Sequence, residues 1–120
     1  MEEFAQFISM LFASRTQAHI FHLQTDSYAA HKALQEYYEE IIEIADGLVE
    51  SYQGRYGILR DYSGQATFKE DNQPLAYFEA LDKYVETTRQ AIPQDSYIQN
   101  EVDTLVALIE STKYKLKFLH

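Results

Sequence analysis

Residues 18–50 read AHIFHLQTDSYAAHKALQEYYEEIIEIADGLVE, and this stretch decides the fold. Thr25, Asp26 and Ser27 interrupt it. Side chains of this kind accept hydrogen bonds from the first N–H groups of a helix, so one helix ends and another begins there. Before the break, Phe4, Phe7, Ile8, Leu11, Phe12, Ala18 and Phe21 recur mostly at steps of three and four. That spacing predicts an amphipathic helix from Glu2 to about Leu23. After the break a second helix is expected from about Ser27 to Tyr52, with Gly54 as its stop. The link is short, so the pair should form an antiparallel hairpin.

Residues 54–73 hold Gly54, Gly57 and Gly64 among polar and charged side chains and read as connection, with room for a short helical turn at Gly57-Ile58-Leu59-Arg60. A third helix should begin at Pro74, a favourable first-turn residue, and end before Pro93. Its apolar stripe is Leu75, Phe78, Leu81, Val85 and Ile92. The fourth opens on Ser96-Tyr97-Ile98-Gln99, a capping-box pattern. It carries Ile98, Val102, Leu105, Ile109, Leu116 and Leu119 along one face. Residues 1–120 thus read as one all-α domain. The middle connection, about 20 residues long, spans up to about 66 Å when extended. A helix of about 25 residues is only about 38 Å long. The connection can therefore traverse the bundle and leave helices 2 and 3 parallel. This is the ferritin-like four-helix bundle with a long crossover; a simple up-down-up-down order is the alternative.

The formal charge of −9 disfavours nonspecific nucleic-acid binding, which needs lysine and arginine to displace counterions, and it attracts cations. Lys113, Lys115 and Lys117 are the one basic cluster. At helical spacing they spread around the helix and suit the dipole at its C-terminus. The chain has no cysteine, which rules out disulfides and thiolate ligands and fits a reducing compartment. No secretory leader and no membrane-spanning run are visible, so a soluble, cytoplasmic protein is expected.

Four residues of the quoted stretch have metal-binding chemistry: His22, His31, Asp46 and Glu50. Imidazole with carboxylate suits iron or zinc, and helical bundles commonly house such centres. On helix 2, taking about 100° per residue, His31, Gln35, Tyr38, Ile42, Asp46 and Val49 share a narrow sector, flanked by Glu39 and Glu50. Polar ligands on a half-apolar face suggest a partly buried site. His22 lies beside the turn that leads to His31, so these two can meet. His31 and Asp46, however, are about 22 Å apart along a helix, too far to share an ion within one chain. Antiparallel packing of helix 2 against its own copy about a two-fold axis would bring His22 and His31 of one chain to Asp46 and Glu50 of the other. The plainer readings are packed or solvated histidines and a solvated acidic face. Likewise, Tyr37 and Tyr38 read best as packing residues. Tyr56, Tyr62 and Phe68 make residues 54–73 the candidate surface for a protein partner.

Phe21-His22-Leu23, Tyr28-Ala29-Ala30-His31, Tyr38, Asp46 and Glu50 together resemble the motif of the Dps family of mini-ferritins. That motif has a histidine before an aromatic, a second histidine early in the next helix, and an Asp-x-x-x-Glu pair later in it. The resemblance covers residues 18–54. The stretch is also similar to small ferritin-like proteins of tailed bacteriophages, which would place the chain in an infected host cell or a phage particle. The Dps resemblance implies a homo-oligomer with a ferroxidase site between subunits, where His22, His31, Asp46 and Glu50 bind iron(II), or zinc or another divalent metal. It also implies a short extra helix in the middle connection. Gln35 stands where the family has an aspartate, Leu23 where it has tryptophan, and no lysine-rich tail is present. Those departures leave a second function in view: a ferritin-like fold serving as a structural or protein-interaction module, such as a phage component, with a degenerate metal site.

Overall fold

Between Phe4 and Leu11 the first helix is apolar around most of its circumference, with Gln6 its exposed residue, and that dictates where it sits. Phe4, Ala5, Phe7, Ile8, Ser9, Met10 and Leu11 are all buried, as expected of a helix covered on most of its sides rather than along one narrow stripe. In the computed structural model, which describes residues 2–62 and 73–120, they open α1 (Glu2–Gln24). It is followed by α2 (Tyr28–Tyr56), α3 (Pro74–Thr88) and α4 (Ser96–Phe118). The described residues form an all-α four-helix bundle with no strand among them. Its extents are 43 × 25 × 22 Å.

The helices form a ring in which α1 touches α2 and α3, and α4 touches α2 and α3. Each neighbouring pair is antiparallel. Phe4 stacks on Tyr52 with ring centres 4.2 Å apart, while His22 meets His31 at the other end of the hairpin. Phe7 pairs with Tyr84 and Phe21 with Tyr77. Lys113 pairs with Asp82 and Arg89 with Asp103. The Tyr56 hydroxyl donates to Asp95, and Lys115 pairs with Glu36.

The core is drawn from stripes at helical spacing: Leu34, Tyr37, Ile41, Ala45 and Leu48 from α2, Phe78, Leu81 and Val85 from α3, and Ile98, Val102, Leu105 and Ile109 from α4. Each fully buried Leu, Ile or Phe side chain contributes about 1.5–3 kcal/mol. Ser14 and Tyr37 are the polar pin inside it. The Ser14 Oγ donates to the Leu11 carbonyl at 2.7 Å, so the Tyr37 hydroxyl is the donor in its 2.7 Å bond to Ser14. Burial pushes the Tyr37 pKa far above the usual phenol value.

Four expectations about element ends are corrected. Gly54 does not stop α2; it sits inside the helix, and Gly57 ends it with φ 99° and its N–H bonded to the Gln53 carbonyl. That left-handed conformation is one glycine adopts without penalty. Gly57–Arg60 forms no helical turn. α3 ends before Pro93 as expected, at Thr88, but Ile92 is not on its stripe; it is buried from the turn that follows. The capping box at Ser96 is not made, because the Gln99 amide donates instead to the Arg89 and Pro93 carbonyls and accepts from Arg89. Gln99 thereby ties α4 to the end of α3. Of the expected helix in the connection, residues 63–72 lie outside the described residues.

Candidate metal centre

The α1–α2 turn is built by short polar side chains. The Thr25 N–H bonds back to the Phe21 carbonyl, closing α1. Thr25 Oγ1 then accepts from the Ser27 N–H, and Ser27 Oγ accepts from the Ala30 N–H as the N-cap of α2. The turn leaves His22 and His31 side by side with their rings stacked 3.6 Å apart and inclined by 22°.

The two histidines are locked reciprocally. His22 Nδ1 lies 2.7 Å from the His31 carbonyl oxygen, and His31 Nδ1 lies 2.9 Å from the His22 carbonyl oxygen. A carbonyl only accepts, so both Nδ1 atoms carry the proton, and in the neutral rings Nε2 holds the lone pair. His31 also serves α1 structurally, since the His22 carbonyl belongs to the last turn, where helix carbonyls lack backbone donors. His22 is buried and His31 half-buried. Tyr38 packs edge-on against His22, with centres 5.3 Å apart, and flat against the exposed His19 at 4.4 Å.

The carboxylates sit differently. Asp46 and Glu50 are one turn apart on α2 and both exposed. Among the described residues no group of three or more His, Asp or Glu side chains gathers where it could hold a metal ion within one chain. The structure thus brings His22 and His31 together and leaves Asp46 and Glu50 apart from them. Among the described residues the interior offers no substitute: the buried polar ones are Ser9, Ser14, His22 and Thr112.

The candidates around this row are accounted for. The Gln35 amide donates to Glu39 at 3.4 Å. Glu36 is held by Lys115 at 2.6 Å, and Lys113 by Asp82 and Glu110, so two of the three C-terminal lysines are committed to ion pairs. Tyr37 belongs to the core. Sequence reasoning gave no role to Glu101 of α4, whose carboxylate lies against Gly47 of α2. Desolvation raises its pKa, and the neighbouring Glu50 raises it further. The sequence signal was a glycine in the middle of a helix, a residue that otherwise weakens one. His19 was also given no role, although it lies three residues before His22.

Part of the proposed partner surface is described. Ile58, Leu59 and Arg60 join Glu2, Tyr52 and Tyr56 around a cleft of about 740 Å³. Ile20, Leu23 and Tyr28 are exposed apolar residues at the histidine end, Leu23 by 72% and Tyr28 by 75%. No helix among the described residues is long and apolar enough to cross a membrane.

Residues 22–116 match the model of a family of unknown function, DUF5856. No curated protein and no solved structure matches the chain. The match spans most of the 120 residues, and the chain belongs to that family.

Proposed function

We propose that this member of the family is a Dps-like, ferritin-like iron-binding protein with ferroxidase activity at a site between two copies. α2 packs antiparallel on the α2 of a second chain. His22 and His31 of one chain then face Asp46 and Glu50 of the other. Two iron(II) ions each give up one electron; peroxide takes both, with two protons, and leaves as two waters.

The observation that carries this reading is the histidine lock. Metal-binding imidazoles characteristically donate their second N–H to a carbonyl or carboxylate, which fixes the tautomer and leaves one nitrogen for the metal. Both His22 and His31 do this. Rings stacked at 3.6 Å do not converge on one ion, so each imidazole holds its own, which suits a pair of ions. Exposed Asp46 and Glu50 are left available to a neighbour, and mixed imidazole and carboxylate ligation suits iron in both oxidation states.

A ferritin-like crossover is part of the reading. The end of α2 lies beside Phe4 and Asp95, whereas the start of α3 lies beside Phe21, at the opposite end of α1. The chain after α2 heads that way: Ser9 Oγ donates to the Tyr62 carbonyl at 2.6 Å, and Phe12 meets the Tyr62 ring.

Anaerobic iron(II) titration followed by peroxide, on the wild type and Asp46→Ala, tests the site. Stoichiometric binding and fast oxidation in the wild type only are expected, with a mass in solution of at least a dimer. Absence of binding in both proteins overturns the reading. The second reading, a ferritin-like interaction module with a degenerate site, then stands. It is favoured by Gln35, a neutral amide engaged with Glu39, and by the exposed Leu23 and Tyr28.

A further inference from the structure

We infer that the outward face of α4 is a docking surface for the α4 of a second copy of this chain, packed antiparallel about a two-fold axis. The face lies on a different helix from the proposed iron site and needs none of its ligands.

Spacing builds the face. Between Ala107 and Phe118 the exposed residues of α4 are Ala107, Glu110, Ser111, Tyr114, Lys117 and Phe118. At about 100° per residue they fill one sector about 120° wide, centred on Tyr114. That sector is turned away from the buried row Val102, Leu105 and Ile109. Tyr114 and Phe118 are 55% and 59% exposed, with ring centres 5.7 Å apart. Large side chains thus stand toward the C-terminal end of the face, and the small Ala107 and Ser111 toward the other. On either side of Tyr114, Glu110 and Lys117 line one flank, and Ala107, Ser111 and Phe118 line the other.

Two-fold symmetry makes this pattern complementary to itself. With the axis level with Lys113, Phe118 of one chain lies over Ala107 of the other, and Tyr114 lies beside Ser111. The axis keeps each flank on its own side, so Glu110 of each chain faces Lys117 of the other. A parallel copy would set Glu110 against Glu110 and Lys117 against Lys117. Charge thereby selects both the second copy and its direction. The charged groups are able to take part. Glu110 holds Lys113 at 3.0 Å, but Lys113 keeps Asp82 at 2.9 Å when Glu110 turns to the neighbour. Lys117 makes no ion pair among the described residues and lies over the Phe118 ring at 5.4 Å. Burial of the aromatic rings drives association, and the ion pairs fix the register. A contact of about three helical turns per chain is smaller than a standard interface of about 1,600 Å², so the dimer forms reversibly.

Sedimentation velocity with a chelator present, up to submillimolar protein, tests the face on the wild type, Glu110→Lys, Lys117→Glu and Phe118→Ala. The wild type should associate reversibly. Each charge reversal sets like charges together and should weaken association by about tenfold or more, with unchanged circular dichroism. Phe118→Ala should weaken it by about as much, through lost ring burial. An equimolar mixture of Glu110→Lys and Lys117→Glu should associate as the wild type does, because every facing pair is again of opposite sign. The variant carrying both reversals should do the same. A wild type that stays a single chain at every concentration overturns the surface. So does association that neither Glu110→Lys nor Phe118→Ala weakens, which would place the contact on another helix. Failure of the mixture to recover association overturns the antiparallel register. Iron oxidation is read separately, so failure of this surface and failure of the ferroxidase reading are distinguishable.

Discussion

The two halves of the α2 flank carry the same kind of chemistry and are held in opposite ways. At the His31 end, each imidazole is bonded to the other residue's backbone and stacked on its partner, and Tyr38 braces His22. At the Asp46 end, the carboxylates stand exposed, and Glu50 faces the repulsion of another carboxylate, Glu101. Preorganisation matters to a metal site because ordering its ligands costs free energy at the moment of binding. The histidine half has met that cost during folding of the single chain. The carboxylate half has not, and an acidic surface of this kind is stabilised only when something positive arrives. In the shared site proposed above the two halves would then have unequal parts: the imidazoles would set its place, and the carboxylates of a neighbour would supply its charge.

The largest expected effect tests that asymmetry without any metal. His22→Ala removes a buried ring, its stack on His31 and a hydrogen bond, and should lower the unfolding free energy by about 2 kcal/mol. Asp46→Ala, at an exposed position, should change it by less than about 0.5 kcal/mol. Urea unfolding midpoints of the two variants measure the difference. Equal shifts would mean that the two halves are held alike, and the contrast drawn above would be lost.

Much of this contrast was legible in the sequence, and what was missed has identifiable causes. The steps of three and four in α1 and α4 and the capping residues at Ser27 gave four helices and the hairpin, because burial and capping are local rules. The meeting of His22 and His31 followed from the short turn between them. The end of α2 did not follow. Gly54 and Gly57 are equally plausible stops in a sequence, and only the backbone shows which takes a positive φ. Gln99 was read as a capping residue because pattern rules see three residues along the chain, not the Arg89 and Pro93 carbonyls that tertiary packing brings to it. Glu101 was invisible for the same reason: Gly47, which it lies against, and Glu50, which raises its pKa, are on another helix. The part of the candidate site that was legible is the part made within one hairpin.

Gly47 sharpens the comparison at a smaller scale. A methyl group built on it would come 2.6 Å from Glu101 Oε2. If the carboxylate end were as tightly held as the histidine end, Gly47→Ala would destabilise the protein. The atoms in the way belong to the tip of a flexible, partly exposed side chain, which can turn aside. Glycine inside a helix costs about 0.8–1.0 kcal/mol relative to alanine. The expected result is therefore a net gain of about 0.5 kcal/mol, below the gain from Gly54→Ala, which meets nothing within 4 Å. Thermal unfolding of both variants gives the two values. Destabilisation by Gly47→Ala would show a rigid carboxylate end.

Glu101 gives the smallest effect and a definite sign. Its pKa is raised in the fold, first by desolvation and then by Glu50. Between its unfolded and folded values the native state binds more protons, so stability falls as pH rises through that window. Below the unfolded carboxylate value of about 4.3 the penalty is absent, and above the folded value it is complete. Glu101→Gln should accordingly raise the unfolding temperature at pH 7 and leave it unchanged near pH 4. The gain is on the order of 0.5 kcal/mol or less, because the group is screened by solvent. A divalent cation at the carboxylate end should shrink the gain, since a positive charge beside Glu50 and Glu101 removes the repulsion that the substitution relieves. A gain independent of both pH and cation would mean that the substitution acts through packing against Gly47 rather than through charge, and that the acidic end of α2 carries no electrostatic strain for a metal or a second chain to relieve.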